Sequence, residues 1–74
     1  MNDLASLATS VATLEGRVLL HVQFETLMTL GASEDHESLR FTLLENLPRL
    51  RALGIALAAQ RDAREVTIMP GDLQ

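Results

Sequence analysis

Two histidines and the acids beside them are the residues of this chain whose types could do chemistry. Asp35, His36 and Glu37 run consecutively and are candidate metal ligands by type. Successive residues on a helix project in different directions, so three neighbours cannot close around one ion and further ligands would have to come from elsewhere. Glu34 and Asp35 could be an acid and base couple, but negative charge at the start of a helix complements its dipole, and that reading is taken. Ser33 just before them suits an N-cap better than a nucleophile. His21 falls on the polar side of an alternating segment, where a solvent-facing or cross-strand role is expected. Gly31 and Gly54 stand apart, without the spacing of a loop that cradles phosphate. Arg61-Asp62-Ala63-Arg64 reads as a hydrated loop able to touch an acidic partner, and Met28 and Met69 as fillers of irregular core space. Catalysis needs a nucleophile, a base and an orienting group converging in a pocket. The residues offer no such set, so the expectation is no enzyme, no cofactor and no metal.

Positioning any of these side chains falls to a small scaffold. The chain has 74 residues, which leaves room for a single small domain over 1–74 with one modest core. Its hydrophobic fraction of 47% is that of a globular chain rather than a disordered one. A core this small leaves apolar surface uncovered, which favours a protein partner, a homo-oligomer or attachment to a larger parent chain. The net charge is −4 and there is no lysine, so the electrostatic footprint of a phosphate binder is missing. Phe24 and Phe41 are the only aromatic residues, too few for base stacking, and no nucleic acid is expected as a partner. Cysteine is absent, which removes disulfides and thiolate-bound metal. The start, Met1-Asn2-Asp3-Leu4, carries an acid where a secretory signal carries bases, and no apolar run approaches the ~20 residues of a membrane span. A cytoplasmic location without a membrane span is expected.

The elements follow from periodicity. Val18, Leu20, Val22 and Phe24 alternate with Arg17, Leu19, His21 and Gln23, the mark of a strand buried on one face. Glu15-Gly16 supplies a tight turn, around which Val11 to Leu14 would pair with Arg17 to Val22. Glu25 to Leu30 is read as an extension of the strand, a bulge or a third strand. From Glu34 to Leu53 the period changes: Leu39, Leu43, Leu44, Leu47, Leu50 and Leu53 recur three and four apart, on one side of an amphipathic helix. Ser33 is expected to cap it, Glu45 and Arg49 to pair along it, and Gly54 to stop it. Pro48 either kinks this helix or begins a new short turn, because a proline in a helix interior costs roughly 3 kcal/mol. Ile55 to Gln60 fits helix or strand. Glu65-Val66-Thr67-Ile68-Met69 alternates as a closing strand ended by Pro70-Gly71, after which Asp72-Leu73-Gln74 should fray.

The stretch Glu37 to Arg51, with Leu47-Pro48-Arg49-Leu50-Arg51 at its centre and Gly54-Ile55-Ala56-Leu57 after it, resembles the carboxyl-terminal domain of flagellar hook-length and type III secretion needle-length control proteins. In that family an alternating aliphatic strand, here Gly16 to Phe24, precedes a helix with an arginine near its start. The likeness covers roughly half to two-thirds of the chain. The chain departs from the family in lacking an upstream Pro-x-x-Leu-Gly element and in a shorter gap before Gly54. The resemblance implies a bacterial, non-enzymatic substrate-specificity switch that contacts the export-gate protein and can itself pass through the type III apparatus. It points to Arg40, Pro48, Arg49 and Arg51 as the partner-binding residues.

The expected fold is therefore α+β, a small antiparallel sheet of one hairpin and a closing strand with one amphipathic helix across it. The alternative is an all-α hairpin with a first helix from Asp3 through Leu30. In that form the chain would be a small chaperone or regulatory subunit whose face of Leu4, Leu7, Val11, Leu14 and Val18 packs on a partner helix.

Overall fold

Alternation carries β2 (Gly16–Gln23) as expected: Val18, Leu20 and Val22 turn inward and are buried, while Leu19 and Arg17 turn out. The computed structural model describes residues 6–73, and in it β1 (Ser6–Thr13) pairs antiparallel with β2 over eight residues, from Ser6 opposite Gln23 to Thr13 opposite Gly16. The register places Leu7 and Val11 on the same face as Val18 and Val22, and both pack against the core. The all-α alternative is overturned, since Leu7, Val11 and Val18 lie in strands and Leu14 in the turn. β-branched residues from Val11 to Val22 prefer the pleated surface to a helix that would also carry Gly16. Leu4 lies outside the described residues.

The hairpin turn is Leu14-Glu15, one residue earlier than expected, and Gly16 re-enters the strand with φ of 129°. The hydroxyl of Thr13 donates to the Gly16 carbonyl at 2.7 Å and accepts the Glu15 amide at 3.3 Å. The Arg64 guanidinium lies against Gly16 and occupies the space a Cβ would take.

Where further strand was expected, the chain forms α1 (Phe24–Thr29). A tertiary contact decides it: the buried Thr26 hydroxyl donates to the Ile68 carbonyl at 2.8 Å, and Leu27 beside it enters the core. The helix closes with Gly31 at φ of 116°; the Ala32 amide returns to the Leu27 carbonyl and the Gly31 amide to that of Met28, each at 3.0 Å.

The leucine-rich segment is two helices, α2 (His36–Glu45) and α3 (Leu47–Arg61), separated by Asn46. Asp35, rather than Ser33, caps α2, its carboxylate accepting the Ser38 amide; the Ser33 hydroxyl instead accepts the Asp35 amide. Pro48 stands in the first turn of α3, where its missing N–H would have had no partner in any case. Asn46 covers the break by turning both its backbone amide and its side-chain amide to the Thr42 carbonyl, at 3.1 and 2.8 Å. Gly54 does not stop the helix. It sits buried in the middle of α3 against the side chain of Leu20 on β2, and Ile55 to Gln60 continue as helix. α3 ends at Asp62, which takes a left-handed conformation with φ of 53°.

The closing strand β3 (Glu65–Ile68) joins β2 in parallel, with Leu20 opposite Val66 and Val22 opposite Ile68. The sheet is mixed, in the order β1-β2-β3, and not wholly antiparallel. Three helices between β2 and β3 carry the chain back along the sheet, so it re-enters in the direction of β2. A 3₁₀ turn (Pro70–Leu73) follows. Asp72 and Leu73 do not fray: the Asp72 carboxylate accepts the Met69 amide at 2.9 Å, and Leu73 packs against the core. Gln74 lies outside the described residues. The fold is thus α+β, with Leu20, Leu27, Leu39, Leu50 and Ile68 fully buried between the sheet and the helices.

Candidate functional site

The helices leave large apolar side chains uncovered. Phe41 and Leu44 on α2 are 61% and 60% exposed, and Ile55 on α3 is 40% exposed. The leucine spacing assigned Leu44 to the core, but Leu43 takes the buried position and Leu44 turns out. Within α3, Pro48, Arg51 and Ile55 follow one another by three and four residues, which sets them on one side of the helix, all exposed. Arg40 is exposed one turn before Leu44. Among the described residues the one ion pair is His21 with Glu65, so neither Arg40 nor Arg51 has a carboxylate within salt-bridge distance there.

Arg49 is placed differently. Two residues advance roughly 200° around a helix, so Arg49 and Arg51 lie on nearly opposite sides of α3. The Arg49 guanidinium donates to the Leu73 carbonyl at 3.2 Å and ties the 3₁₀ turn to the helix. The expected Glu45–Arg49 pair does not form, because the break at Asn46 separates the two. Of the four residues singled out in the sequence, the structure brings Pro48 and Arg51 together on one helix face and sets Arg49 apart.

Arg40 also borders a groove of about 240 Å³ between β1 and the helices, lined by Leu7, Ala8 and Thr9 on one side and by Leu43, Leu44 and Leu47 on the other. No sequence signal singles this groove out, since its two walls are more than thirty residues apart along the chain. A second cleft, of about 470 Å³, lies at the hairpin end between the turn and the end of α3, with Glu15, Asp62, Arg17 and Arg64 in its lining. Its charges are mixed in sign.

The residues with chemical potential are dispersed. His21 is cross-strand as expected, its Nε2 2.6 Å from the Glu65 Oε2 on the outer sheet face. His36 packs edge-on against Phe24, with ring centres 6.3 Å apart. Among the described residues no group of three or more His, Asp or Glu could hold a metal ion. Arg64 belongs to the fold as well, its carbonyl accepting the Leu19 amide at 2.8 Å. Met28 and Met69 are not core fillers; they are 37% and 51% exposed. None of the helices described is long and apolar enough to cross a membrane.

Comparison with protein-family models, curated proteins and solved structures finds no match to this chain.

Proposed function

We propose that this chain is a non-enzymatic protein-interaction module acting as a substrate-specificity switch of type III export, in contact with the export-gate protein. One observation carries the interaction reading: large apolar side chains stand exposed on the helices, Phe41 and Leu44 on α2 and Pro48 and Ile55 on α3, beside Arg40 and Arg51. Large exposed apolar residues rimmed by charge are the composition of a protein-binding surface, and arginine is enriched in such surfaces. The export assignment rests on the resemblance of residues 37–57 to the hook-length and needle-length control family. The exposure of Arg40, Pro48 and Arg51, three of the residues that the resemblance points to, supports it. In this reading Arg51 and Arg40 meet carboxylates of the gate protein, Leu44 and Pro48 its apolar residues, and Arg49 holds the carboxyl-terminal turn in place from the other side.

The test is capture of the purified cytoplasmic domain of an export gate, together with an export-switching assay in cells. Arg51→Glu is expected to weaken capture by roughly tenfold and to delay switching. Arg49→Glu is expected to have the smaller effect of the two. If charge reversal at both positions leaves binding and switching unchanged while the circular dichroism spectrum stays native, the reading fails.

A further inference from the structure

Among the described residues β1 is an edge strand without protection. There it pairs with β2 on one side only, in unbroken register over eight residues, and its sequence Ser-Leu-Ala-Thr-Ser-Val-Ala-Thr holds no charge and no proline. Natural edges of this length are blunted by charges, prolines or bulges, because the unpaired amides and carbonyls recruit another strand. The opposite edge is blunted: β3 has four residues, begins with Glu65 and runs into Pro70. Beside β1 lies the groove against α2, whose lining is uncharged apart from Arg40.

We infer that the free edge of β1 and this groove bind an extended segment of a partner protein that adds a strand to the sheet. Alternate side chains of an added strand point to the same face, so every second residue would face the helices. The segment must carry an aliphatic residue to lie on Leu7, Leu43 and Leu47, and a carboxylate two residues away to meet Arg40. A lysine there would face the Arg40 guanidinium with no carboxylate at salt-bridge distance among the described residues to offset it. Charge therefore selects an acidic segment, and the backbone edge selects an extended one. The inference shares Arg40 with the proposed function but does not depend on what Pro48 and Arg51 bind, and the backbone edge of β1 enters it alone.

The probe is a fluorescent peptide of sequence Ser-Thr-Val-Leu-Val-Asp-Val-Thr-Ser, titrated into the full chain and followed by anisotropy and by amide chemical shifts. Saturable binding is expected, with the largest shifts in residues 6–12 and none of comparable size in β3. Replacing Asp by Lys in the peptide, or Arg40→Glu in the protein, should each weaken binding by roughly tenfold, and combining them should restore most of it. N-methylation of one alternate set of peptide amides should abolish binding and of the other set should not. Binding indifferent to both N-methylated sets and to Arg40→Glu would overturn the inference. So would a stable dimer, seen by sedimentation, that uses β1 and that the peptide fails to displace.

Discussion

At Gly54, Asp62 and Thr26 intrinsic preference and packing make opposing or separable claims, so each has a predictable sign. Alanine is better than glycine in a helix interior by roughly 1 kcal/mol. A methyl group at Gly54, however, would meet both δ-methyls of Leu20, 2.8 Å from one and closer to the other, and Leu20 is fully buried. Overpacking of this kind costs about 1–3 kcal/mol, so Gly54→Ala should lower the urea midpoint despite its gain in propensity. Asp62 is the reverse case: it holds a left-handed conformation that glycine adopts without strain. Asp62→Gly should therefore stabilise the chain by about 0.5–1 kcal/mol in the same measurement. Thr26→Val keeps the shape of a buried side chain and removes its bond to the Ile68 carbonyl. The expected loss is about 1–2 kcal/mol, read from chemical denaturation.

Pro48 makes a test of the helix boundary. If it lay inside one continuous helix, replacing it would relieve roughly 3 kcal/mol. It stands in the first turn of α3, where proline pre-sets the backbone, so Pro48→Ala should instead cost about 0.4–1 kcal/mol in urea unfolding. The strand β2 was legible because a period of two is a local signal that needs no knowledge of the partner, whereas β1, expected only over Val11 to Leu14, runs over Ser6–Thr13 because pairing with β2 and not its own pattern sets its length. The helix boundaries were not, because their causes lie across the molecule. Gly54 looks like a stop until Leu20 is placed on it, and Thr26 and Thr29 look like strand until the Ile68 carbonyl is placed opposite the Thr26 hydroxyl. The direction of β3 is likewise fixed by the helices that return the chain and not by any residue in it. Exposure of Arg40 and Arg51 follows from their positions off the leucine stripe. The groove beside β1 is invisible in sequence, since Leu7 and Arg40 meet only through the fold.

In the molecule as a whole, the helices cover one face of the sheet and leave their own outer side bare at Phe41 and Leu44. Those side chains contribute little to the core, so Phe41→Ser and Leu44→Ser should each change stability by no more than about 0.5 kcal/mol. If the proposed function holds, both weaken capture of the export-gate domain, which separates a binding surface from a structural one. The mixed sheet has a further consequence, in time rather than in space. β2 finds one neighbour across a two-residue turn and the other far down the chain, with His21 and Glu65 44 positions apart. Local closure is quick, whereas a distant pairing waits until loop entropy has been overcome. The hairpin is then positioned to form early and β3 to dock late. Val11→Ala should slow refolding, while Val66→Ala should leave the refolding rate nearly unchanged and accelerate unfolding, a contrast that stopped-flow chevrons resolve.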